Sequence, residues 1–253
     1  MTVPTLAPPA GARLVVAGGC GGIGRALVEA CLSLEHRVTV VDQPRAIAAY
    51  PPPAGVEAIG LDATDEDSVA TAFEAVRSQG AGLDGLVNLV GFTNTRRTLE
   101  ELSLAEWNEI LTGSLTSAFL LARAAAPFLR ARSGAIVNTS STFGVDVKLS
   151  GFGPYAVAKA GVINLTRALS LELAPEVRVN AIAPGLTDTA FLSGGTARPE
   201  RSERTNLEKV AAMTHLKRVG QPEDMVGPIL FLLGPASAYI TAQTLHINGG
   251  AWS

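Results

Sequence analysis

Arg13-Leu14-Val15-Val16-Ala17-Gly18-Gly19-Cys20-Gly21-Gly22-Ile23-Gly24 begins as an apolar run of strand type and breaks into a turn with five glycines in seven positions. From Arg25 to Glu35 the apolar residues recur at helical spacing, so the segment predicts strand, glycine turn and helix. The turn reads in two registers. Gly19-x-Gly21-x-x-Gly24 is a literal dinucleotide fingerprint, and Gly18-x-x-x-Gly22-x-Gly24 is a variant with wider spacing. Either register gathers backbone N–H groups at a helix start, where missing Cβ atoms admit a pyrophosphate and the helix dipole favours its charge. Gly18, Cys20, Gly21, Gly22, Ile23 and Gly24 are the expected contacts. A loose surface turn would have the same composition, so the residues downstream of the turn decide between the two.

A second buried strand, Arg37 to Val41, stops at Asp42, 18 residues beyond Gly24. A carboxylate there accepts hydrogen bonds from the adenosine ribose hydroxyls and repels a 2′-phosphate. NAD, with its reduced form NADH, is thereby favoured over NADP, and Arg45 downstream is the residue that would modify this preference. The bland alternative for Asp42 is a turn or cap residue. Gly55 to Leu61 predicts a third strand ending at Asp62 and Ala63. Asp62 either meets the adenine edge or caps the helix expected over Asp65 to Gln79.

Leu83 to Val90 predicts the fourth strand, ending at Gly91, and a long helix from about Leu104 through Arg130 has Ala-rich and Leu-rich faces that need cover on more than one side. Gly134 to Ser140 and Val177 to Ala183 are the fifth and sixth strands, the latter broken by Pro184-Gly185. Pro222 to Leu233 reads as a final helix and Thr244 to Asn248 as a last strand. Between them, residues 187–217 mix glycine, proline and charge and read as a mobile lid over a cleft. The alternation implies an α/β fold: a single-domain, Rossmann-type, doubly wound parallel β-sheet flanked by helices, over residues 12–253 after a flexible arm at 1–11.

Ser140-Ser141 closes the fifth strand, and Tyr155-Ala156-Val157-Ala158-Lys159 lies on the next helix, which runs to about Leu173. Tyr155 and Lys159 are one turn apart, so an ammonium can sit beneath a phenol and lower its ordinary pKa of about 10. Tyr155 then qualifies as a general acid and base, and Ser141 as a group that holds a carbonyl or alcohol oxygen against it. Many surface helices carry Tyr-x-x-x-Lys by chance; the nucleotide half of the chain is what separates this one from them.

Composition bounds the rest. With 253 residues, 47% of them hydrophobic, the chain can bury one large core. A net charge of −3 gives no basic footprint, which argues against nucleic acid as a partner. Two cysteines, Cys20 and Cys31, form no disulfide or zinc pattern, and His36, His215 and His246 are too scattered for a metal site, so the expectation is a cytoplasmic protein without a metal. No uninterrupted apolar run has the length of a membrane span, and residues 2–11 lack the pattern of a signal peptide, so no membrane association is expected.

In order along the chain, the glycine turn, Asp42, Asp62, Asn88-Leu89-Val90-Gly91, Ser141, Tyr155-x-x-x-Lys159, Pro184-Gly185 and Asn248-Gly249-Gly250 resemble the short-chain dehydrogenase/reductase family. The resemblance implies hydride transfer between a nicotinamide and a carbonyl or alcohol carbon, and an alcohol or ketone of small size as substrate. It implies that Tyr155 is the acid/base, that Lys159 binds the nicotinamide ribose, that Asn88 and Val90 support the cofactor strand beside Gly91, that Pro184 and Gly185 pass the nicotinamide, and that Thr187 and Thr189 lie near its carboxamide. It also implies a homo-oligomer, often a tetramer, joined through the Leu104 and Tyr155 helices and through the C-terminal region. The family usually places Thr at Ala17, Asn at Leu89 and, in the long helix, a catalytic Asn where this chain has Ser114. Ser114 is expected to weaken or reroute the proton relay that this Asn serves.

Arg96, Arg97, Lys148, Arg198, Arg201 and Arg204 would form a cationic rim to the pocket, but Glu200, Glu203 and Glu208 stand among them and a solvated lid of mixed charge is the plainer reading. Phe143, Phe152 and Phe191 read equally as an apolar wall to a ketone or as packing. Two other functions remain open: a dinucleotide-binding regulatory or scaffold protein with weak or lost catalysis, and a C=C reductase of the same fold.

Overall fold

Short runs of valine, isoleucine and leucine, bounded by glycine, aspartate or asparagine, form the sheet in this computed structural model, which describes residues 4–93, 96–199 and 205–251. The strands β1 (Arg13–Ala17), β2 (Arg37–Asp42), β3 (Glu57–Gly60), β4 (Gly85–Asn88), β5 (Ala135–Thr139), β6 (Arg178–Pro184) and β7 (Thr244–Ile247) lie in the order β3-β2-β1-β4-β5-β6-β7. Every neighbouring pair is parallel. β1 pairs with β2 on one side and β4 on the other, so Ala17 faces both Val41 and Asn88. The winding direction reverses there, and the crevice beyond the carboxyl ends of these strands is where such sheets receive ligands.

Helices α1 (Gly22–Ser33), α2 (Pro44–Ala49), α3 (Glu66–Ser78), α4 (Leu104–Leu111), α5 (Ser117–Arg130), α6 (Gly153–Leu173), α7 (Leu207–Met213) and α8 (Pro222–Leu233) complete the layers. One face of the sheet is covered by Phe73 and Val76 of α3, Leu121 and Leu129 of α5 and Leu173 of α6. The other is covered by Leu27 and Val28 of α1 and Met225 and Ile229 of α8. Each fully buried leucine or isoleucine contributes about 1.5–3 kcal/mol. Asp65 caps α3 by accepting the Ser68 N–H at 2.7 Å, so of the two roles open to Asp62 the cap is taken by Asp65.

The expected long helix is continuous over residues 104–130, with a π-turn, Thr112–Thr116, joining α4 to α5. It is long and apolar enough to cross a membrane, which its unbroken apolar runs, all short, do not indicate. More than half of its most apolar stretch is buried inside the protein, as a core helix requires. The short α2 was not expected from the sequence. Within residues 187–217 the structure has a 3-10 turn, Ala190–Ser193, and α7. Residues 5–9, read from sequence as a loose arm, make contacts: Thr5 O accepts the Ala236 N–H, Pro8 O bonds the His36 ring, and Pro9 O accepts the Ala12 N–H.

Candidate active site

The glycine turn is fixed by its own backbone. Gly18, at φ +80°, donates its N–H to Val41 O and accepts the Gly21 N–H. A Cβ on Gly24 would lie within 2.8 Å of Gly19 backbone, so only glycine lets α1 start this close to the turn. Gly21, the N-cap of α1, provides no side-chain cap, and the first turn of α1 holds no acidic residue. The helix N-terminus is therefore left uncompensated by its own chain, and a pyrophosphate fits its N–H groups and dipole.

Gly18, Gly21, Gly22, Ile23 and Gly24 line one cleft of about 310 Å³ with Asp42, Asp62, Ala63, Val90, Gly91, Ser141, Tyr155, Lys159, Pro184, Gly185, Thr187 and Thr189. The structure thus brings together most of the residues singled out from sequence. Cys20, Asn88 and Ser114 stand outside that lining. The Cys20 N–H is taken by Asp42 Oδ2 at 2.9 Å and its thiol is buried, pushed up to about 12 by desolvation. Asn88 accepts the Val90 N–H at 3.1 Å, bracing the strand end. The second oxygen of Asp42 accepts the Gln43 N–H at 2.8 Å. Burial raises the Asp42 pKa, and these backbone bonds oppose the rise. Asp62 Oδ1 accepts the N–H and hydroxyl of Thr64.

At the centre, β5 delivers Ser141 and α6 delivers Tyr155 and Lys159, all buried. Ser140 clamps the strand to the helix by donating to Lys159 O at 2.7 Å. The Ser141 hydroxyl lies near enough to Tyr155 to affect its titration, and the Lys159 ammonium sits 5.7 Å from the Tyr155 ring centre while donating to Thr139 O at 2.8 Å. The expected lowering of the Tyr155 pKa is not what these protein groups give. Burial pushes the phenol up to about 12, opposed by the nearby Ser141 hydroxyl, and pushes the Lys159 amine down to about 8. Desolvation outweighs the attraction because the ammonium is directed at a carbonyl beside the ring. Ser114 Oγ is buried with no hydrogen-bond partner among the described residues, close to where Gly91 faces the Lys159 amine.

The family described as enoyl-(acyl carrier protein) reductase matches residues 18–251. The 3-oxoacyl-[acyl-carrier-protein] reductase FabG of Aquifex aeolicus is 35% identical, over 93% of this chain and 95% of the relative. The cis-4-hydroxycyclohexanecarboxylate dehydrogenase of Sinomonas cyclohexanicum is 33% identical, over 93% and 94%. A solved putative gluconate dehydrogenase of Agrobacterium tumefaciens superposes with a TM-score of 0.85 at 31% identity, covering 97% of this chain and 98% of that one. The chain belongs to the short-chain dehydrogenase/reductase family. It is an oxidoreductase.

Beyond the tyrosine the cleft is lined by aromatic side chains. Here Phe143 stacks on Phe152 at 4.8 Å and meets Tyr155 edge-on at 6.4 Å, while Phe191 lies 5.7 Å from the Tyr155 ring. The three phenylalanines are therefore a wall of the cleft. Sequence reasoning missed Phe92, which lines the same cleft and carries the Arg198 guanidinium 3.7 Å above its ring. Of the expected cationic rim, Arg96 and Arg198 line the cleft, Arg97 pairs with Glu106 at 3.6 Å and Lys148 with Asp146 at 3.0 Å. Glu200, Arg201, Glu203 and Arg204 lie outside the described residues.

Proposed function

We propose that this chain is an NAD(H)-dependent oxidoreductase that interconverts a secondary alcohol and a ketone, with Tyr155 as general acid and base. The observation that carries the reading is the meeting of Ser141, Tyr155 and Lys159 on one wall of a cleft whose other end is the glycine turn and Asp42. When bound, the nicotinamide supplies or takes the hydride. Gly18 to Gly24 would hold the pyrophosphate, Asp42 the adenosine ribose, Asp62 and Ala63 the adenine, and Lys159 the other ribose. Pro184, Gly185, Thr187 and Thr189 would hold the nicotinamide end. Ser141 orients the substrate oxygen by hydrogen bonding, and Tyr155 gives that oxygen a proton in reduction or removes it in oxidation. With its pKa pushed up to about 12, Tyr155 is a neutral phenol at pH 7, the form that donates to a carbonyl.

The Asp42 carboxylate supports NAD over NADP, because a 2′-phosphate would meet a negative charge there. Arg45 is exposed and stands outside the cleft lining. Exposed Leu104, Phe119, Val157 and Leu171 on α4, α5 and α6 support a homo-oligomer, a tetramer in this reading. Two free, buried cysteines suit a reducing cytoplasm. One finding favours a second reading, C=C reduction: the matching family's description names an enoyl reductase. The placing of Ser141 beside Tyr155 in the cleft speaks for carbonyl chemistry instead.

The test is NADH formation by wild-type and Tyr155→Phe protein across secondary alcohols with NAD or NADP, with NADH binding measured separately and products identified. Turnover with NAD that is lost in Tyr155→Phe while NADH still binds is the expected result. Equal turnover by both proteins would remove Tyr155 from its role, and a saturated C–C product would install the second reading.

A further inference from the structure

The charged groups lining the cleft, among the described residues, are sorted by sign. Asp42 and Asp62 stand at the nucleotide end, Lys159 at the centre, and Arg96 and Arg198 among the phenylalanines at the other end. Both arginines stack on rings that line the cleft: Arg96 is 4.9 Å from the Phe152 ring centre and Arg198 is 3.7 Å from that of Phe92. A stacked guanidinium is held in plane by the ring and directs its N–H donors edgewise, which suits a planar, two-oxygen acceptor better than a spherical ion. The Arg198 side chain is 25% exposed, and its charge is met at Nη2 by Glu109 at 3.1 Å. Glu109 is half exposed and sits outside the cleft lining, so it balances the charge from the solvent side while the stacked plane borders the pocket.

We infer that the substrate is a small oxo or hydroxy carboxylic acid, with an apolar ring-sized body lying along Phe143, Phe152 and Phe191 and a carboxylate received by Arg198 with Arg96 beside it. This rests on the ketone and alcohol reading above and adds the substrate class to it. A neutral ketone would use the same aromatic wall but leave the cleft-facing side of the Arg198 guanidinium unused. An acyl group delivered as a thioester on a phosphate-bearing carrier is the other source of an anionic tail; a guanidinium fork pairs with either anion, and the coenzyme A thioester below distinguishes the two.

The probes are para-acetylbenzoate, its uncharged amide and acetoacetyl-coenzyme A, each reduced with NADH, together with quenching of bound NADH fluorescence by benzoate and by benzamide. In the wild-type enzyme the acid is expected to exceed the amide in kcat/KM by about tenfold or more, the ratio that one charge-assisted hydrogen-bonded pair supports. Arg198→Met should bring the ratio close to one. Glu109→Gln, which removes the competing carboxylate, should lower KM for the acid severalfold and leave the amide unchanged. If the Arg198–Glu109 pair were only a strut, Glu109→Gln would impair acid and amide alike, and that result overturns the inference. So would a ratio near one in the wild type, or turnover confined to the coenzyme A thioester; both leave the ketone reading intact. Tight binding of benzoate over benzamide without turnover of any ketone would keep the anion site and remove the ketone reading.

Discussion

Replacing Lys159 with methionine should abolish turnover and make the protein more stable, because the residue is held against its own solvation. Its side chain is buried, and burial pushes the amine from 10.5 down to about 8. At pH 7 the lysine is protonated in both folded and unfolded chains, and a gap of this size then costs the folded state about 3 kcal/mol. The sign comes from proton binding. The unfolded chain holds the proton more tightly, so the cost is complete below about pH 8 and is progressively relieved between the folded and unfolded pKa values. Methionine has similar length and no charge. It also forfeits the bond to Thr139 O, which returns about 1–2 kcal/mol. The net gain is about 1–2 kcal/mol, or roughly 2–6 °C in Tm for a chain of this size. The assay is calorimetric melting of both proteins without nucleotide at pH 7 and pH 9. The advantage of the variant should shrink by about 1 kcal/mol at the higher pH. Tyr155, with its pKa raised to about 12, titrates differently in the two states only above about pH 10, outside this window. A variant that melts lower at pH 7, or an advantage equal at both pH values, would refute the reasoning.

Asp42→Asn keeps an acceptor for the Cys20 N–H but removes the charge, so the NAD to NADP ratio of kcat/KM should fall about tenfold or more with little change in Tm; steady-state kinetics with both nucleotides measure it. Gly24→Ala forces a Cβ into Gly18 and Gly19 backbone, and should destabilise the protein by about 2–4 kcal/mol and weaken NADH binding, seen by denaturant melts and fluorescence titration. Ser114→Asn should leave NADH affinity within about twofold while altering the pH profile of kcat, since Ser114 lies behind the lining with an unpartnered hydroxyl near the Lys159 amine. A large change in affinity would remove Ser114 from any relay.

The sheet was legible because each strand is a local apolar run and each boundary a local breaker. Tyr155, Lys159 and Asp42 were legible for the same reason: a turn of helix or a strand end places them. What was hidden depends on contacts distant in sequence. The π-turn Thr112–Thr116 leaves no apolar signature of its own; Gly113 within it lies where any side chain would collide with Phe92, a residue 21 positions earlier. Helix α2 is six residues long and buries only Ala46, too little for periodicity to show. The direction of the Tyr155 shift was misjudged because spacing reports which charge is near, whereas desolvation is set by everything packed around the phenol.

The same distinction explains why chemistry and substrate separate along the cleft. The groups proposed to move the proton follow β5 and sit on α6, whose positions are fixed by sheet register and by Ser140 bonding to Lys159 O. The groups proposed to meet the far end of the substrate come from segments with no ladder to hold them: Phe92 and Arg96 after β4, Phe143 and Phe152 between β5 and α6, Phe191 and Arg198 after β6. These segments hold one another through ring stacking and cation–π contacts in place of backbone pairing, at about 0.5–2 kcal/mol each. Such contacts can be exchanged singly without loosening the sheet, so the aromatic wall and its two arginines can change substrate while Ser141, Tyr155 and Lys159 stay in register. Sequence motifs therefore point to the proposed reaction, and in this reading the pairing of rings with guanidiniums carries the information about the substrate.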